Sequence, residues 1–362
     1  AFGWSARTTT LAFSTAIFFL GVGAVLGGRW QDRAGPRPVA VTGALLWAAG
    51  NLLAGLGTGQ LGAPWLWLSY GMVGGLGLGL GYVTPVAAVT KWFPERRGLG
   101  SGLVVMGFGL GAFFYSHAMK GLGPEGVLPA FLRSGLAFAV LGGLAAAFLR
   151  DPPAPAAGAP AADGGVHFTP GEMLRRPQFY ALWGMLFLNV TAGILFISNA
   201  VPIMRERTGA AAATAASVYG LIALANGLGR FAWGAVSDLV GRRAAWVLIY
   251  LLQAIAFLAV GRTHDLWLVA ALFALVLLCY GGGFGTMPSF VADWFGTRHL
   301  GVNYGWVLLA WSAAGLAGPG FVAWVKDRTG AYSGALPVTA ALLAAATALP
   351  LLARRPRPPG AA

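Results

Sequence analysis

Long uncharged apolar runs, separated by short loops that carry the charges, make up most of the chain. Most runs approach or exceed the about 20 residues that an α-helix needs to cross the hydrocarbon core of a bilayer. The pattern predicts five membrane-spanning helices before a Pro- and Ala-rich stretch and six after it, at 8–28, 38–57, 65–90, 98–119, 127–149, 177–204, 209–234, 244–261, 266–292, 300–325 and 335–353. We therefore expect an all-α membrane protein.

The Pro- and Ala-rich stretch divides the chain into two bundles. We expect an N-terminal bundle at 1–149, a linker at 150–176, a C-terminal six-helix bundle at 177–353 and a tail at 354–362. Sixteen of the 24 Lys and Arg residues fall on one set of alternate loops, and the positive-inside rule assigns that set to the cytoplasm. This orientation predicts a multi-pass protein of the plasma membrane with its linker and C-terminus in the cytoplasm.

The composition of the chain excludes several classes of function. With 57% apolar residues, 10% charged residues and a mean hydropathy of +0.70, the chain is not a soluble domain. The net charge of +13 does not indicate nucleic-acid binding, because the basic residues form short clusters and no basic stripe. The single Cys279 excludes an internal disulfide, and the four histidines have no metal-ligand spacing. We expect no cofactor and no enzyme, since the predicted helices hold no catalytic pair.

A ten-residue motif occurs twice, 206 positions apart. Gly28–Arg37 and Gly234–Arg243 share the pattern Gly-x-x-x-Asp-x-x-Gly-x-Arg, and each copy lies between two apolar runs. A second matching pair, Pro85 to Phe93 and Pro288 to Phe295, has nearly the same offset. Two predicted helices precede the second copy of the motif but only one precedes the first, so we expect that a first helix is missing. Duplicated halves in a membrane are typical of transporters.

Glycine-rich runs occur inside two of the predicted helices. Gly71, Gly75 and Gly79 recur every four residues, and a second run extends from Gly281 to Gly285. No strand precedes either run, so a phosphate-binding loop is not expected. Small residues at this spacing let helices approach closely, and we predict helix packing here.

The duplicated motif lies between the second and third helices of each half and resembles the signature loop of the major facilitator superfamily. The segments 2–5 (Phe-Gly-Trp-Ser), 226–230 (Asn-Gly-Leu-Gly-Arg) and 283–288 (Gly-Phe-Gly-Thr-Met-Pro) more narrowly resemble the oxalate/formate antiporter family and its monocarboxylate-transporter relatives. The resemblance covers essentially the whole chain. It implies a major facilitator fold with two pseudo-symmetric bundles, of which eleven of twelve helices are present. It also implies a substrate cavity between the bundles and secondary transport by alternating access.

Arg230 is the most prominent polar residue within a predicted helix, and Asn226 lies one turn before it on the same face. A guanidinium is a planar fork that matches a carboxylate. From position alone, the alternative is an arginine near a helix end that extends to the lipid headgroups. The antiporter family has an arginine at the matching place that contacts the substrate carboxylate, so the resemblance implies that Arg230 is the anion receptor.

The resemblance also implies a lysine in the eleventh helix, near Trp311, but this chain has alanine there, at Ala313 and Ala314. With one cation, a dicarboxylate would leave one charge uncompensated in a poorly hydrated cavity. We therefore expect a monocarboxylate such as lactate or formate, rather than oxalate. Further candidates for the substrate site, each of which has packing as its alternative role, are Tyr82, Phe108, Trp311, Ser312 and Asn189.

Coupling and gating are open at this point. The predicted helices hold no Asp or Glu at depth, and Asn226 stands where proton-linked relatives carry an Asp, which favours anion exchange or facilitated diffusion. The residues of the duplicated loops predict gating ion pairs between the bundles, with a solvated turn as the alternative: Asp32, Arg33, Arg37, Asp238, Arg242 and Arg243.

Four alternative functions are weighed beside the carboxylate carrier. They are a carrier of drugs or sugars, a proton-coupled monocarboxylate symporter, a membrane sensor that binds a ligand without moving it, and an intramembrane enzyme, which the lack of a catalytic pair in the predicted helices disfavours. The predicted linker and tail are too short to hold a regulatory domain, which disfavours the sensor. We expect a monomer that has a small carboxylate and the lipid bilayer as its partners.

Overall fold

A computed structural model describes residues 2–118, 126–153, 166–329 and 333–358, and it is helical over most of them. Residues 154–165 of the predicted linker and 359–362 of the predicted tail lie outside the described residues. The first half contains α1 (Ala6–Ala34), α2 (Pro36–Leu66), a π-helical segment (Trp67–Gly74), α3 (Gly75–Trp92), α4 (Arg97–Ala118) and α5 (Val127–Ala147). After the short α6 (Pro170–Leu174), the second half contains α7 (Pro177–Thr208), α8 (Ala212–Ile222), α9 (Leu224–Val240), α10 (Arg242–Val260), α11 (Leu266–Phe295), α12 (Leu300–Thr329), α13 (Ala335–Ala346) and α14 (Ala348–Leu352).

Over its described residues, every apolar run that the sequence marked is mostly helical. Within the described residues, eight helices are long and apolar enough to cross a membrane, and α7, bent by 56° between Ile194 and Asn199, gives a ninth. This count is lower than the predicted eleven for two reasons. The stretch Pro36–Trp92 holds two of the predicted runs in 57 continuous residues, and α12 counts as a shorter apolar helix over Leu300–Leu316.

The stretch Pro36–Trp92 reverses direction at Gly62. The φ of Gly62 is +73°, a backbone conformation that favours glycine because it has no Cβ. On either side of this turn the two arms pack closely, since a Cβ on Gly43 would lie 2.7 Å from the Gly81 nitrogen and a Cβ on Gly50 would lie 2.6 Å from the Gly74 Cα. The arms are antiparallel, so they form two separate crossings.

The glycine runs pack helices together, which confirms the role predicted for them. A Cβ on Gly75 would lie 2.6 Å from the Ala16 carbonyl oxygen of α1, and Gly71 and Gly79 lie on the same face. In the second run, a side chain on Gly281 or Gly285 would collide with the main chain of α9. The glycines of α11 therefore hold α9, and with it Arg230, tightly against α11.

The two halves meet through helices that are equivalent in the repeat. α1 packs antiparallel to α12, and α4 packs antiparallel to α9. Glycines again permit the approach, because a Cβ on Gly305 would lie 2.6 Å from the Ala24 carbonyl oxygen and a Cβ on Gly109 would lie 2.7 Å from the Gly227 Cα. Both duplicated loops lie at one end of these helix pairs, which we call the signature end.

Candidate functional site

Arg230 is buried at the boundary between the halves. It lies on α9 and is only 2% exposed, so the alternative of a guanidinium that extends to lipid headgroups is excluded. Its Nε donates a long hydrogen bond of 3.4 Å to the Asn226 Oδ1 one turn earlier. The guanidinium carbon lies 4.8 Å from the ring centre of Phe284 and 5.5 Å from that of Phe108, as in cation–π contacts. Aromatic faces thus hold the guanidinium in place.

An aromatic cluster from both halves surrounds this guanidinium. Tyr82 and Phe108 come from the first half, and their rings pack edge-to-face with centres 5.2 Å apart. Trp311, from the second half, lies 5.6 Å from Tyr82, 5.8 Å from Phe108 and 4.7 Å from Phe284. The structure therefore brings together three aromatic residues that the sequence marked on three different helices. We call Tyr82, Phe108, Phe284 and Trp311 the aromatic cage.

Several polar atoms beside the cage are buried and make no hydrogen bond of normal geometry within the described residues. They are the Arg230 Nη1 and the hydroxyl groups of Tyr82 and Tyr304. The Tyr82 hydroxyl lies close to both the guanidinium and the Tyr304 hydroxyl, so the three groups interact with one another. An unsatisfied buried polar group costs about 1–3 kcal/mol, and a charged group costs more. The site thus places hydrogen-bond donors that lack a well-aligned acceptor beside a buried cation.

Asn189 and Ser312 lie outside the aromatic cage. The Asn189 Nδ2 donates to the Tyr280 carbonyl oxygen at 3.0 Å, and its Oδ1 accepts from the Gln253 Nε2 at 3.0 Å. The Ser312 hydroxyl donates to the Ile17 carbonyl oxygen at 2.7 Å. Asn189 thus bonds to helices α11 and α10, and Ser312 bonds to helix α1. Both residues therefore hold helices together.

At the signature end, the two aspartates of the duplicated loops make equivalent contacts across the halves. Asp32 accepts from the backbone N–H groups of Gly301 and Val302 at 3.1 and 2.9 Å. Asp238 accepts from those of Gly98 and Leu99 at 2.9 and 2.8 Å. These N–H groups belong to the first turns of α12 and α4, where the helix dipole also favours a negative charge. The partners across the boundary are thus helix N-termini, where the sequence had suggested arginines.

The arginines of the loops have different surroundings. Arg242 pairs with Asp238 at 2.6 Å and with Asp293 at 2.9 Å, and the Asp293 carboxylate also accepts from Arg97 of the first half at 3.0 Å. The pair of Arg97 and Asp293 is therefore an ion pair between the halves. Arg243 donates to the Pro350 carbonyl oxygen at 2.8 Å within its own half. Two further loop residues are exposed, namely Arg33 and Arg37.

Four residues of these sites were not singled out from the sequence. Phe284 lies in the segment 283–288 that carries the family resemblance, so its position was visible but its contact with Arg230 was not. Tyr304 is a polar aromatic residue within an apolar helix, which is a usable signal for a buried site. Asp293 precedes the repeated Trp-Phe pair, and Arg97 was counted only as a loop charge.

Comparison with known sequences assigns the family. The Major Facilitator Superfamily model matches residues 1–200 and again residues 182–362. The oxalate:formate antiporter of Oxalobacter formigenes is 32% identical, over 92% of this chain and 79% of that protein. Monocarboxylate transporter 13 of Bos taurus is 28% identical, over 94% of this chain and 79% of that protein. The apicoplast pyruvate carrier 1 of Toxoplasma gondii is 27% identical, over 83% of this chain and 67% of that protein.

Solved structures agree on the fold. The human organic anion transporter MFSD10 superposes with a TM-score of 0.73 at 18% identity, over 95% of this chain and 83% of that chain. A fucose transporter, FucP, in its outward conformation gives a TM-score of 0.72 at 17% identity, over 98% of this chain and 92% of that chain. The predicted major facilitator fold is confirmed. The chain belongs to the major facilitator superfamily and is a multi-pass membrane transporter similar to oxalate:formate antiporters and monocarboxylate transporters.

Proposed function

We propose that this transporter exchanges small monocarboxylate anions across the plasma membrane by alternating access, with Arg230 as the receptor for the carboxylate. One observation carries the proposal. Arg230 is a buried cation between the two halves, and no carboxylate of the described residues lies within ion-pairing distance of its guanidinium. Because a buried charge without a partner is strongly unfavourable, a bound anion stabilises this arrangement. The names of the relatives, which include a pyruvate carrier and monocarboxylate transporters, support the same substrate class.

The preference for one carboxylate follows from the surroundings of the guanidinium. The cage is aromatic, and Ala314, three residues after Trp311 and on the same side of α12, is fully buried. No second cation stands at this position to receive a second carboxylate. A dianion would therefore place an uncompensated charge against aromatic rings, which costs several kcal/mol. We infer that lactate or formate binds better than oxalate.

We also propose that the signature end faces the cytoplasm and is closed in this structure. The excess of positive charges on the loops at this end supports the orientation. The contacts of Asp32 and Asp238 with helix N-termini, together with the pair of Arg97 and Asp293, support closure. These contacts must break for the substrate to reach the cytoplasm, so they stabilise one access state over the other.

Counterflow in liposomes tests the proposed function. Liposomes that contain the reconstituted protein are loaded with unlabelled lactate, formate or oxalate, and uptake of each labelled anion is measured side by side. We expect lactate or formate to drive uptake at least about tenfold better than oxalate, because the site holds one cation. Equal transport of a neutral sugar or of a cationic drug would contradict the proposal and favour a carrier of other specificity.

The same liposomes test the coupling mode. Asn226 hydrogen-bonds to Arg230, and an amide carries no titratable proton at this position. We therefore expect that a protonophore leaves counterflow unchanged within about twofold and that a pH gradient alone does not drive net uptake. Accumulation driven by an inward proton gradient would instead show a proton symporter.

Neutralising Asp238 tests the gate. In Asp238→Asn the carboxylate no longer stabilises the first turn of α4, so we expect the state that is open at the signature end to gain about threefold to tenfold in population. The reporter is a cysteine in place of Ser289, a fully buried residue that hydrogen-bonds across the halves to Ser101 at 2.9 Å. Its labelling rate with a polar maleimide is measured in nanodiscs after Cys279→Ala.

A matched control for the gate is Asp265→Asn. This aspartate caps the start of α11 through the Leu268 N–H at 2.7 Å, at the end of α11 opposite the signature end. It should leave the labelling rate and the exchange rate unchanged. If Asp238→Asn also leaves both rates unchanged, its loop is a solvated turn without a gating role.

A further inference from the structure

The residues just before α6 are packed into the turn between α11 and α12. Phe168 is fully buried, although it belongs to the predicted linker. Its N–H donates to the Phe295 carbonyl oxygen at 2.9 Å, and its carbonyl oxygen accepts from the Asn303 Nδ2 at 3.0 Å. The rings of Phe168 and Phe295 pack edge-to-face with centres 5.3 Å apart. Phe168 thus bonds to both sides of the turn, at the end of α11 and at the start of α12.

The segment that carries Phe168 is itself well defined. Thr169 and Glu172 form a capping box at the start of α6, with the Thr169 N–H and hydroxyl both 2.8 Å from the Glu172 carboxylate. These hydrogen bonds lower the pKa of Glu172, so the carboxylate is charged at neutral pH. Met173 is fully buried, and the Arg176 guanidinium lies 5.8 Å from the Phe168 ring centre. The segment that follows Phe168 is therefore held in place.

The internal repeat shows how the contact with Phe168 changes the exposure of the turn. Phe295 and Phe93 are equivalent positions in the two halves, since both end the motif that begins at Pro288 or Pro85. Phe295 is 0% exposed, whereas Phe93 is 54% exposed. The preceding tryptophans differ in the same way, with Trp294 at 7% and Trp92 at 47%. The linker buries the second copy of this turn. The first copy contacts the start of the linker, through Trp92 with Arg150 and Lys91 with Asp151, but its Trp-Phe pair stays exposed.

The covered turn is the one that receives Asp32. The N–H groups of Gly301 and Val302 bind the Asp32 carboxylate, and Asn303, which binds the Phe168 carbonyl oxygen, is the next residue. On the other side of the turn, Gly296 has a φ of +83°, and any side chain there would collide with the Val166 carbonyl oxygen. The linker therefore contacts this turn on both sides, at Phe295 and Gly296 where α11 ends and at Asn303 in the first turn of α12.

We infer that Phe168 is a positioning residue for the contact between the halves. By holding the turn between α11 and α12, it places the N–H groups of Gly301 and Val302 where the Asp32 carboxylate binds. It thereby stabilises the state that is closed at the signature end. The inference rests on the proposed gating role of Asp32. It assigns the linker a part in the access cycle in addition to joining the two halves.

Labelling of the buried cysteine in place of Ser289 tests this role. Phe168→Ala is expected to raise the labelling rate in nanodiscs about fivefold or more, because loss of the ring and its packing weakens the closed state. Phe168→Leu keeps an apolar side chain of similar volume and the backbone contacts, so its labelling rate should lie between those of the parent protein and of Phe168→Ala, and closer to the parent. Phe93→Ala, the equivalent substitution at the exposed phenylalanine of the first copy, should leave the rate unchanged.

The native Cys279 separates positioning from loss of structure. Cys279 is buried within the second half beside Trp233 and Ile249, so its labelling reports unfolding of that half. In a second protein that keeps both Cys279 and Ser289, we expect Phe168→Ala to leave Cys279 labelling unchanged, and a rise at Cys279 that matches the rise at position 289 would overturn the inference. The labelling rate of the cysteine in place of Ser289 is also measured for Asp32→Asn. If Asp32→Asn raises labelling at position 289 and Phe168→Ala does not, the inference about the linker fails alone; if Asp32→Asn has no effect, the gating proposal fails as well.

Discussion

Replacing Arg230 by glutamine is expected to abolish monocarboxylate exchange, with a loss of about 100-fold or more in the initial rate of counterflow. The guanidinium is the cation of the cage, and removing one partner of a buried ion pair costs about 3–5 kcal/mol, because the other charge is left uncompensated. Arg230→Lys keeps the charge but loses the planar fork that binds both carboxylate oxygens. We therefore expect Arg230→Lys to retain residual exchange, with a raised KM, between the rates of the parent protein and of Arg230→Gln.

The control for this result is Arg262→Gln. Arg262 is exposed in the turn between α10 and α11 and lies outside the aromatic cage, so its loss should leave counterflow within about twofold of the parent rate. Membrane insertion and thermal stability are measured for each variant. Folded Arg230→Lys protein that exchanges lactate at the parent rate would remove the carboxylate assignment and leave only the general transporter fold.

The fold was predictable because a bilayer restricts the possible structures. An apolar run of about 20 residues satisfies its backbone in lipid only as a helix, so runs and loops specify the crossings. Breaks within the runs were not predicted. Ala223 separates α8 from α9, and α7 bends by 56° between Ile194 and Asn199. These features depend on packing against neighbouring helices, which the hydropathy pattern does not encode.

The candidate site was predictable in part. The apolar surroundings of Arg230 and its place before the second loop marked it from the sequence, and aromatic residues of other helices were chosen as its neighbours. Which face of a helix meets the other half cannot be read where both faces are apolar. In α4, Phe108 joins the cage and is 38% exposed, whereas Phe114, six residues later, is 66% exposed. Phe284 was missed for the same reason.

The duplicated loops show a second limit of sequence reasoning. Both Asp32 and Asp238 were marked, and arginines were expected as their partners across the halves. Their partners there are backbone N–H groups, which every residue except proline carries and which no motif reveals. Repetition of the same contact in both halves indicates that helix N-termini, as well as charged side chains, hold the signature end closed. Among the described residues, the pairs of Arg242 and Arg97 with Asp293 are added at the second copy alone.

A lysine in place of Ala314 is expected to reverse the substrate preference. Ala314 is fully buried on α12, one turn after Trp311 of the cage, so an ammonium group at this position would enter the same site as the Arg230 guanidinium. Two cations repel each other there, and a monocarboxylate compensates only one of them. A dicarboxylate compensates both. We expect the ratio of oxalate to lactate counterflow to rise at least about tenfold, which corresponds to about 1.4 kcal/mol of differential binding.

Ala314→Met provides the matched control, since methionine has a similar length to lysine and no charge. If both substitutions reduce lactate exchange equally and neither admits oxalate, added volume alone explains the result. The idea that the number of cations selects the substrate would then be wrong. If only Ala314→Lys admits oxalate, the number of cations in the cage sets the number of carboxylates that are carried. Because Arg230→Gln lowers that number to none and Ala314→Lys raises it to two, the three proteins form one series in which charge compensation decides the substrate.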